Sequence, residues 1–210
     1  MAHAVSAARK LLALWRGGGP GAVARALRRR FLYKRWRSLL FEHVAPLAAA
    51  GLSWPKDCRY EWLGPAAALS PANREALRSD GAVGLLEDLA PADNVYVVWA
   101  GVRIASYGVV MARSPQHAVV GLPPVARLVG LCETREAHRR RGLFSLALVE
   151  TVRALRQQGT APVFIEVDEA NLPSRAGIVR AGFGLRGPVD AQIWFGRWVR
   201  RDGRWSRLAR

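Results

Sequence analysis

Residues 133–145 read Glu133-Thr134-Arg135-Glu136-Ala137-His138-Arg139-Arg140-Arg141-Gly142-Leu143-Phe144-Ser145. The apolar run that ends at Thr134 predicts a strand, and the periodic apolar residues from Leu143 onward predict a long helix. A helix N-terminus offers unsatisfied amides and the positive end of the helix dipole, and the glycine lets a ligand approach the backbone closely. The junction is therefore typical of an anion site, with a solvated helix start as the alternative.

Strand and helix patterns alternate on both sides of this junction. Apolar runs, turn residues and helix-ending glycines set the bounds of each element. The predicted elements are a strand at 60–63, helical turns at 71–89, a hairpin at 94–111, a Pro-containing loop around His117, strands at 126–134 and 162–167, helices at 143–158 and 173–181, and strands at 191–198 and 204–208 that form a terminal hairpin around Asp202-Gly203. This order predicts an α/β (α+β) fold on a mixed sheet.

The positive charge is concentrated at the N-terminus. The 210-residue chain has 32 Lys and Arg against 16 Asp and Glu, and residues 1–41 contain ten of the basic residues and no acid. A chain with 50% hydrophobic residues is too apolar to stay disordered. Two short amphipathic helices are predicted in this segment, the second carrying Leu32, Trp36, Leu39 and Leu40 on its apolar side. We therefore divide the chain into a basic amphipathic helical extension, 1–55, and a body, 56–210.

The basic segment 1–41 has three candidate roles. It fits an anionic membrane surface, it could dock on the body with its arginines solvated, and nucleic acid ranks last because no nucleic-acid motif supports it. Cys58 and Cys132 have neither disulfide nor zinc spacing, so we expect no metal and a reducing, cytoplasmic interior. No apolar run reaches the length of a transmembrane helix. The expected location is cytoplasmic, with the basic segment suggesting peripheral attachment to the inner membrane face.

Residues 93–196 resemble a GCN5-related N-acetyltransferase (GNAT) domain. The segment from Arg139 to Phe144 is similar to the [Q/R]-x-x-G-x-[G/A] acetyl-CoA loop of that family and departs from it at Phe144. Downstream, Asn171 and Ser174, followed by Gly182-Phe183, resemble the second signature of the family. The two motifs occur in the family's order, separated by a helix and a strand.

The resemblance implies a mostly antiparallel twisted sheet whose splayed central strands admit acetyl-CoA. By similarity, residues of the preceding strand would line the pantetheine arm, the basic junction would hold the pyrophosphate, and two residues near the second signature would add contacts. These implied cofactor-binding residues are Leu131, Cys132, Glu133, Thr134, Arg139, Arg140, Arg141, Gly142, Leu143, Phe144, Ser145, Asn171 and Ser174.

The chemistry implied is direct attack of a primary amine on the thioester, which needs a general base. Glu166 matches a glutamate used by some family members, and Glu133 is a rival; apolar neighbours would raise the pKa of Glu166 toward neutrality. The tyrosine that serves many relatives as general acid is replaced by Ile178. Tyr107 and Ser174 are the alternative hydroxyls. Cys132 fits a buried core thiol rather than a nucleophile.

The predicted activity is N-acetyl transfer to a primary amine of a small molecule. A softer likeness, to GNAT-like proteins of bacterial cell-surface polysaccharide synthesis, suggests an amino sugar or a lipid-linked precursor. A protein N-terminus, a lysine, a polyamine or an antibiotic fits the residues equally. The alternative function is a catalytically inactive GNAT-shaped adaptor that binds an anionic membrane or nucleic acid. The sequence does not indicate the oligomeric state.

Overall fold

The computed structural model describes residues 20–21, 33–44, 53–80, 82, 85–86, 89–160, 162–195 and 198–208. The strands are β1 (Tyr33–His43), β2 (Cys58–Pro65), β3 (Asn94–Ala100), β4 (Arg103–Met111), β5 (Arg127–Thr134), β6 (Val163–Val167), β7 (Phe183–Trp194), β8 (Trp198–Arg201) and β9 (Arg204–Arg207). The helices are α1 (Pro71–Ser79), α2 (Pro115–Val120), α3 (Leu143–Gln157) and α4 (Leu172–Arg180), with 3-10 turns at Ala66–Ala68 and Glu136–His138.

The chain divides into two compact units, residues 37–189 and residues 1–36 with 190–210. In the larger unit the strand order is β2-β3-β4-β5-β6-β1-β7. The β5–β6 pair is parallel, whereas β2–β3, β3–β4, β4–β5 and β1–β6 are antiparallel. The predicted mixed, mostly antiparallel sheet is confirmed.

The two parallel strands separate after three residue pairs. β5 pairs with β6 only from Arg127–Val163 to Val129–Ile165, although β5 continues to Thr134. In the pairing of β5 with β4, the register shifts between Gly130 and Glu133, because β5 has one more residue there than β4. Leu131, inside this bulge, has a φ of 51°. A bulge of this kind bends its strand and interrupts the ladder of hydrogen bonds. The predicted splay of the central strands is confirmed, and it opens a cleft at the end of β5.

Helices cover both faces of this sheet. α3 and α4 pack with Tyr96 and Ile165 into one apolar cluster, and the cluster on the other face contains Leu77 of α1 together with Val97 and Val109. Leu148, Val152 and Leu155 of α3 are almost fully buried, as the apolar period of that segment predicts.

The second helix predicted in the N-terminal segment is wrong, because residues 33–43 form strand β1. Leu39 and Phe41 are buried at the two-residue period of a strand and pair with Val167 and Ile165 of β6. Pairing and burial against β6 override the helical spacing of the apolar residues. The first predicted helix lies outside the described residues, and the division at residue 55 stays a prediction.

The loop expected around His117 is instead the short helix α2. Ser114 and Pro115 begin it, and Gly121, in the left-handed conformation with a φ of 74°, ends it. The His117 ring is buried; its Nδ1 accepts from the Ser114 amide at 3.2 Å, and its Nε2 lies 3.2 Å from the Ala126 carbonyl oxygen. These two contacts suit a neutral imidazole that carries its proton on Nε2.

In the smaller unit, the end of β7 forms a three-stranded antiparallel ribbon with β8 and β9. Asp202 and Gly203 have φ values of 51° and 75°, as a two-residue hairpin turn requires, so the predicted Asp-Gly hairpin is confirmed. The strand expected at 191–198 is corrected: β7 already begins at Phe183, and a turn at Phe195 precedes β8. Among the helices of the described ranges, none is long and apolar enough to cross a membrane.

Replacing Phe41 with alanine should lower the free energy of unfolding by about 3–5 kcal/mol, because the deletion leaves a cavity around a side chain that is 3% exposed. Urea denaturation followed by circular dichroism measures the effect. Val44→Ala is the control: Val44 is 65% exposed, and its truncation should cost less than about 0.5 kcal/mol. Equal, small effects would show that β1 is not part of the core.

Stability should fall as the pH drops below about 6.5, the ordinary pKa of histidine. Burial lowers the pKa of folded His117, so the unfolded chain takes up a proton at a pH at which the folded chain does not. Burial also lowers the pKa of His43, which contributes to the same pH dependence. The measured quantity is therefore the slope of the urea midpoint against pH, compared between the wild type and His117→Gln. Urea midpoints between pH 7 and pH 5 should decrease less steeply for the variant. Parallel slopes would contradict a buried neutral His117.

Candidate functional site

A cleft of about 860 Å³ opens where β5 leaves β6. Its walls are the end of β5, the basic junction, the end of β6 and helix α4. The sequence-predicted residues that line it are Leu131, Cys132, Glu133, Thr134, Arg139, Arg140, Gly142, Leu143, Phe144, Ser145, Glu166, Asn171 and Ser174. Tyr107 and Arg141 were also predicted for the site and do not line the cleft.

The basic junction forms one end of the cleft. Gly142 caps α3 in the left-handed conformation, with a φ of 74°, which favours glycine. The first backbone hydrogen bond of α3 runs from the Leu146 amide to the Gly142 carbonyl, so the amides of the first turn precede the helix ladder and remain available to an anion. Arg139 Nε donates to the Thr134 carbonyl at 3.2 Å, which holds this side chain at the end of β5.

The three consecutive arginines have different surroundings. Arg139 and Arg140 line the cleft, whereas Arg141 donates to Asp57 Oδ1 at 2.5 Å and contacts His138 Nδ1 at 3.2 Å. The hydrogen bond from Arg141 lowers the pKa of the Asp57 carboxyl. Arg141 therefore ties the junction to the segment before β2, and the other two arginines supply positive charge to the cleft.

Phe144, where the sequence departs from the GNAT pattern, packs against α4 at a glycine. A Cβ atom on Gly177 would lie 2.8 Å from Phe144 Cδ1, so only glycine leaves room for the ring. Next to it, Ser145 Oγ donates to the Gly177 carbonyl at 3.0 Å. The departure at Phe144 is accommodated by the absence of a side chain on the neighbouring helix.

The bulge in β5 brings backbone groups to the cleft wall. From Gly130 to Thr134, β5 lies beyond its last pair with β6. Cys132 Sγ accepts from Tyr96 Oη at 3.3 Å and donates to the Gly130 carbonyl at 3.4 Å. Burial raises the pKa of the Cys132 thiol to about 11, so the thiol stays protonated at neutral pH. These contacts fit the predicted packing role for Cys132.

Glu133 is held by two donors. Tyr107 Oη donates to Glu133 Oε2 at 2.6 Å, and Arg135 Nη1 donates to Oε1 at 2.6 Å. The Arg135 guanidinium also lies over the Tyr107 ring, 5.3 Å from its centroid. Burial, together with the hydrogen bond to Glu133, raises the pKa of Tyr107 to about 12, so its hydroxyl remains a donor at neutral pH. Tyr107 thus acts on the carboxylate and not in the cleft.

Glu166 is half-buried on β6 and has partners from two other elements. Gln116 Nε2 of α2 donates to Glu166 Oε1 at 2.5 Å, and Ser38 Oγ of β1 lies 3.5 Å from Oε2. Sequence reasoning missed both partners, because it predicted a loop where α2 lies and a helix where β1 lies. Each contact joins residues far apart in the sequence, so no local sequence pattern predicts it.

The predicted residues of α4 serve partly in building that helix. Asn171 caps α4: its Oδ1 accepts from the Ser174 amide at 3.2 Å. Ile178, which occupies the position of the family's tyrosine, is 1% exposed and belongs to the apolar core. In the part of the chain that the structure describes, no group of three His, Cys, Asp or Glu residues is arranged to hold a metal ion.

Solved acetyltransferase structures resemble this architecture. A GCN5-related N-acetyltransferase from Kribbella flavida superposes with a TM-score of 0.51 at 17% identity, covering 82% of this chain and 63% of its own. A GNAT-family acetyltransferase from Novosphingobium aromaticivorans gives 0.51 at 13% identity, covering 75% of this chain and 63% of its own. A tandem GNAT protein of the clavulanic acid biosynthesis pathway superposes with a TM-score of 0.52 at 17% identity, covering 85% of this chain and 59% of its own.

These likenesses rest on structure and not on sequence. Neither a protein-family model nor a curated protein matches the sequence. The chain spans less than two thirds of each of the three structures above. The TM-scores of 0.51 to 0.52 describe a likeness of the fold. The chain therefore has the fold of the GCN5-related N-acetyltransferases.

Proposed function

We propose that the protein transfers an acetyl group from acetyl-CoA directly to a primary amine. The observation that carries this proposal is one cleft in which an open strand edge, at β5, meets a basic helix N-terminus, at α3. An open edge suits an amide-bearing chain such as pantetheine, and the helix terminus suits a pyrophosphate. The open edge and the basic helix terminus thus follow each other along the cleft in the same order as pantetheine and pyrophosphate in CoA.

On the donor side, the roles follow from the contacts described above. Arg139, Arg140 and the first-turn amides after Gly142 would hold the pyrophosphate. The edge of β5 from Gly130 to Thr134 would pair with the pantetheine amides. Acetyl-CoA supplies the thioester-activated acetyl group when bound. Backbone amides freed by the bulge at Leu131 would stabilise the negative charge that develops on the carbonyl oxygen during attack.

The base that takes the amine proton is assigned to Glu166. Both oxygens of Glu133 already accept hydrogen bonds, one of them from the Arg135 guanidinium, so protonating Glu133 would break a charged contact. Glu166 lines the same cleft from β6, and Gln116 fixes the orientation of its carboxylate. We propose Glu133 as a positioning residue that orients the end of β5.

No tyrosine is proposed as general acid. Ile178 has no proton to give, and Tyr107, which does not line the cleft, donates its hydroxyl to Glu133. With its pKa raised to about 12, Tyr107 is also a weaker acid than an ordinary thiol, whose pKa is about 8.5, so it is a poor proton donor to the departing sulfur. We propose that the departing CoA sulfur takes its proton from solvent.

The acceptor side of the proposal rests on charge. Glu133, Glu166 and Asp168 all line the cleft and favour a cationic amine. Within that class, we propose an amino sugar or a lipid-linked polysaccharide precursor at the inner face of a bacterial membrane, on the sequence likeness stated above. The basic segment 1–41 supports that location through its charge.

Isothermal titration should detect micromolar binding of acetyl-CoA and CoA to the full chain. Arg139→Gln/Arg140→Gln should weaken binding about 10- to 100-fold, since a hydrogen bond to a charged group contributes about 1.5–3 kcal/mol. Arg141→Gln is the matched control, because Arg141 bonds Asp57 and does not line the cleft. A folded wild type that binds neither ligand would favour the inactive adaptor. If both variants lose affinity equally, the ligands are held by the overall positive charge and not by a defined site.

Glu166→Gln should lower kcat at least 100-fold, the ordinary contribution of a general base. The wild-type rate should rise with pH as the base loses its proton, and this acid limb should disappear in the variant. Release of the CoA thiol, with glucosamine as the first acceptor, measures both effects.

Glu133→Gln is the comparison for this assignment. It keeps an oxygen that can accept from Tyr107 and should retain the acid limb at a reduced rate. If Glu133→Gln loses the limb and Glu166→Gln keeps it, the two carboxylates have exchanged roles.

A further inference from the structure

One face of the C-terminal ribbon collects large aromatic and basic side chains. In the β7–β8–β9 register, Trp194 lies opposite Trp198, Gln192 opposite Arg200, Arg200 opposite Trp205 and Trp198 opposite Arg207. Residues directly opposite each other in antiparallel strands share a face, and so do alternate residues of one strand. This face, here called the Trp face, consists of Gln192, Trp194, Trp198, Arg200, Trp205 and Arg207.

The opposite face of the ribbon fixes the direction of the Trp face. Ala191 and Val199, one on each of two neighbouring strands, are 0% exposed. The opposite face is packed at these two residues, whereas Trp198 and Trp205 of the Trp face remain 44% and 54% exposed. Exposed large aromatics that adjoin one another are typical of an interaction surface.

The side chains of the Trp face contact one another. The rings of Trp194 and Trp205 lie 6.5 Å apart between centroids, and the Arg200 guanidinium lies 6.0 Å from the centroid of Trp205. Contacts of this kind hold the rings and the cation side by side. The Trp face is therefore an ordered array of apolar and basic groups.

All charged side chains of the Trp face are positive. Arg200 and Arg207 are its charged members, and the one acid between residues 191 and 210, Asp202, lies in the turn and pairs with Arg201 at 3.3 Å. A partner that covers the Trp face must combine negative charge with an apolar layer.

We propose that the Trp face binds the surface of an anionic phospholipid bilayer. Tryptophan has an apolar ring and a polar N–H, which suits the boundary between headgroups and acyl chains. Arginine matches phosphate through paired N–H donors, so Arg200 and Arg207 would bind lipid phosphates beside the inserted rings.

A bilayer fits these residues better than single-stranded nucleic acid. Nucleic-acid binding of this type uses a basic groove that follows the phosphate backbone, with bases stacked on successive rings. Here the rings lie beside one another across three strands, and the ring of Trp205 is already in contact with both Trp194 and Arg200. This inference concerns residues 191–208 and is independent of the acetyl-transfer proposal.

The test is partition of the full chain onto phosphatidylcholine vesicles with and without phosphatidylglycerol, at about 0.1 M salt. The wild type should bind the phosphatidylglycerol vesicles. Arg200→Gln/Arg207→Gln should weaken partition about 30-fold, because each surface-proximal arginine contributes about fivefold. Trp198→Ser/Trp205→Ser should weaken it about tenfold through lost apolar insertion. Circular dichroism confirms that each variant is folded.

Arg201→Gln/Arg204→Gln is the matched control, since it removes the same two charges from the other face of the ribbon. It should change partition less than threefold. If both arginine pairs weaken partition equally, the effect depends on net charge alone and the proposal is overturned. It is also overturned if the wild type does not bind the vesicles. Fluorescence anisotropy with a single-stranded oligonucleotide completes the test: if only oligonucleotide binding responds to Trp198→Ser/Trp205→Ser, the face binds nucleic acid instead.

Discussion

The separation of β5 from β6 after Val129 and Ile165 is the constraint on which the site depends. Backbone N–H and C=O groups need partners, so a strand that leaves its neighbour must find water or a ligand. The bulge at Leu131 bends β5 at this point, and the same strand then leads to the basic junction and into α3. The cleft and its open edge thus follow from one interruption in the sheet, and the arginines of the junction add the positive charge at its end.

Two carboxylates on neighbouring strands have different surroundings, and the proposed division of their roles rests on that difference. Glu133 lies between a guanidinium and a phenol, whereas Glu166 is reached by an amide from α2 and a hydroxyl from β1. Environment rather than residue type separates such pairs in enzymes. Because the partners of Glu166 come from β1 and α2, the folding of these distant elements bears directly on the proposed chemistry.

The cleft could be predicted from the sequence where its signals are local. A glycine before an apolar helix, a short apolar strand and the helix-ending Gly182 predicted the junction, β6 and α4 within a few residues. β1 could not be predicted in this way, because Leu32, Trp36, Leu39 and Leu40 have helical spacing and the partner strand β6 lies far away in the sequence. α2 is six residues long, too short for a helical period to stand out between prolines.

The position of β1 also bears on how the chain is made. Of the strands in the described ranges, β1 is synthesised first, yet it lies between β6 and β7, whose residues follow more than a hundred positions later. Contacts between residues so distant slow folding, because loop-closure entropy is lost before the pairing is gained. During synthesis, Leu39 and Phe41 remain without their β6 partners for more than a hundred residues, so their apolar side chains stay exposed in the nascent chain.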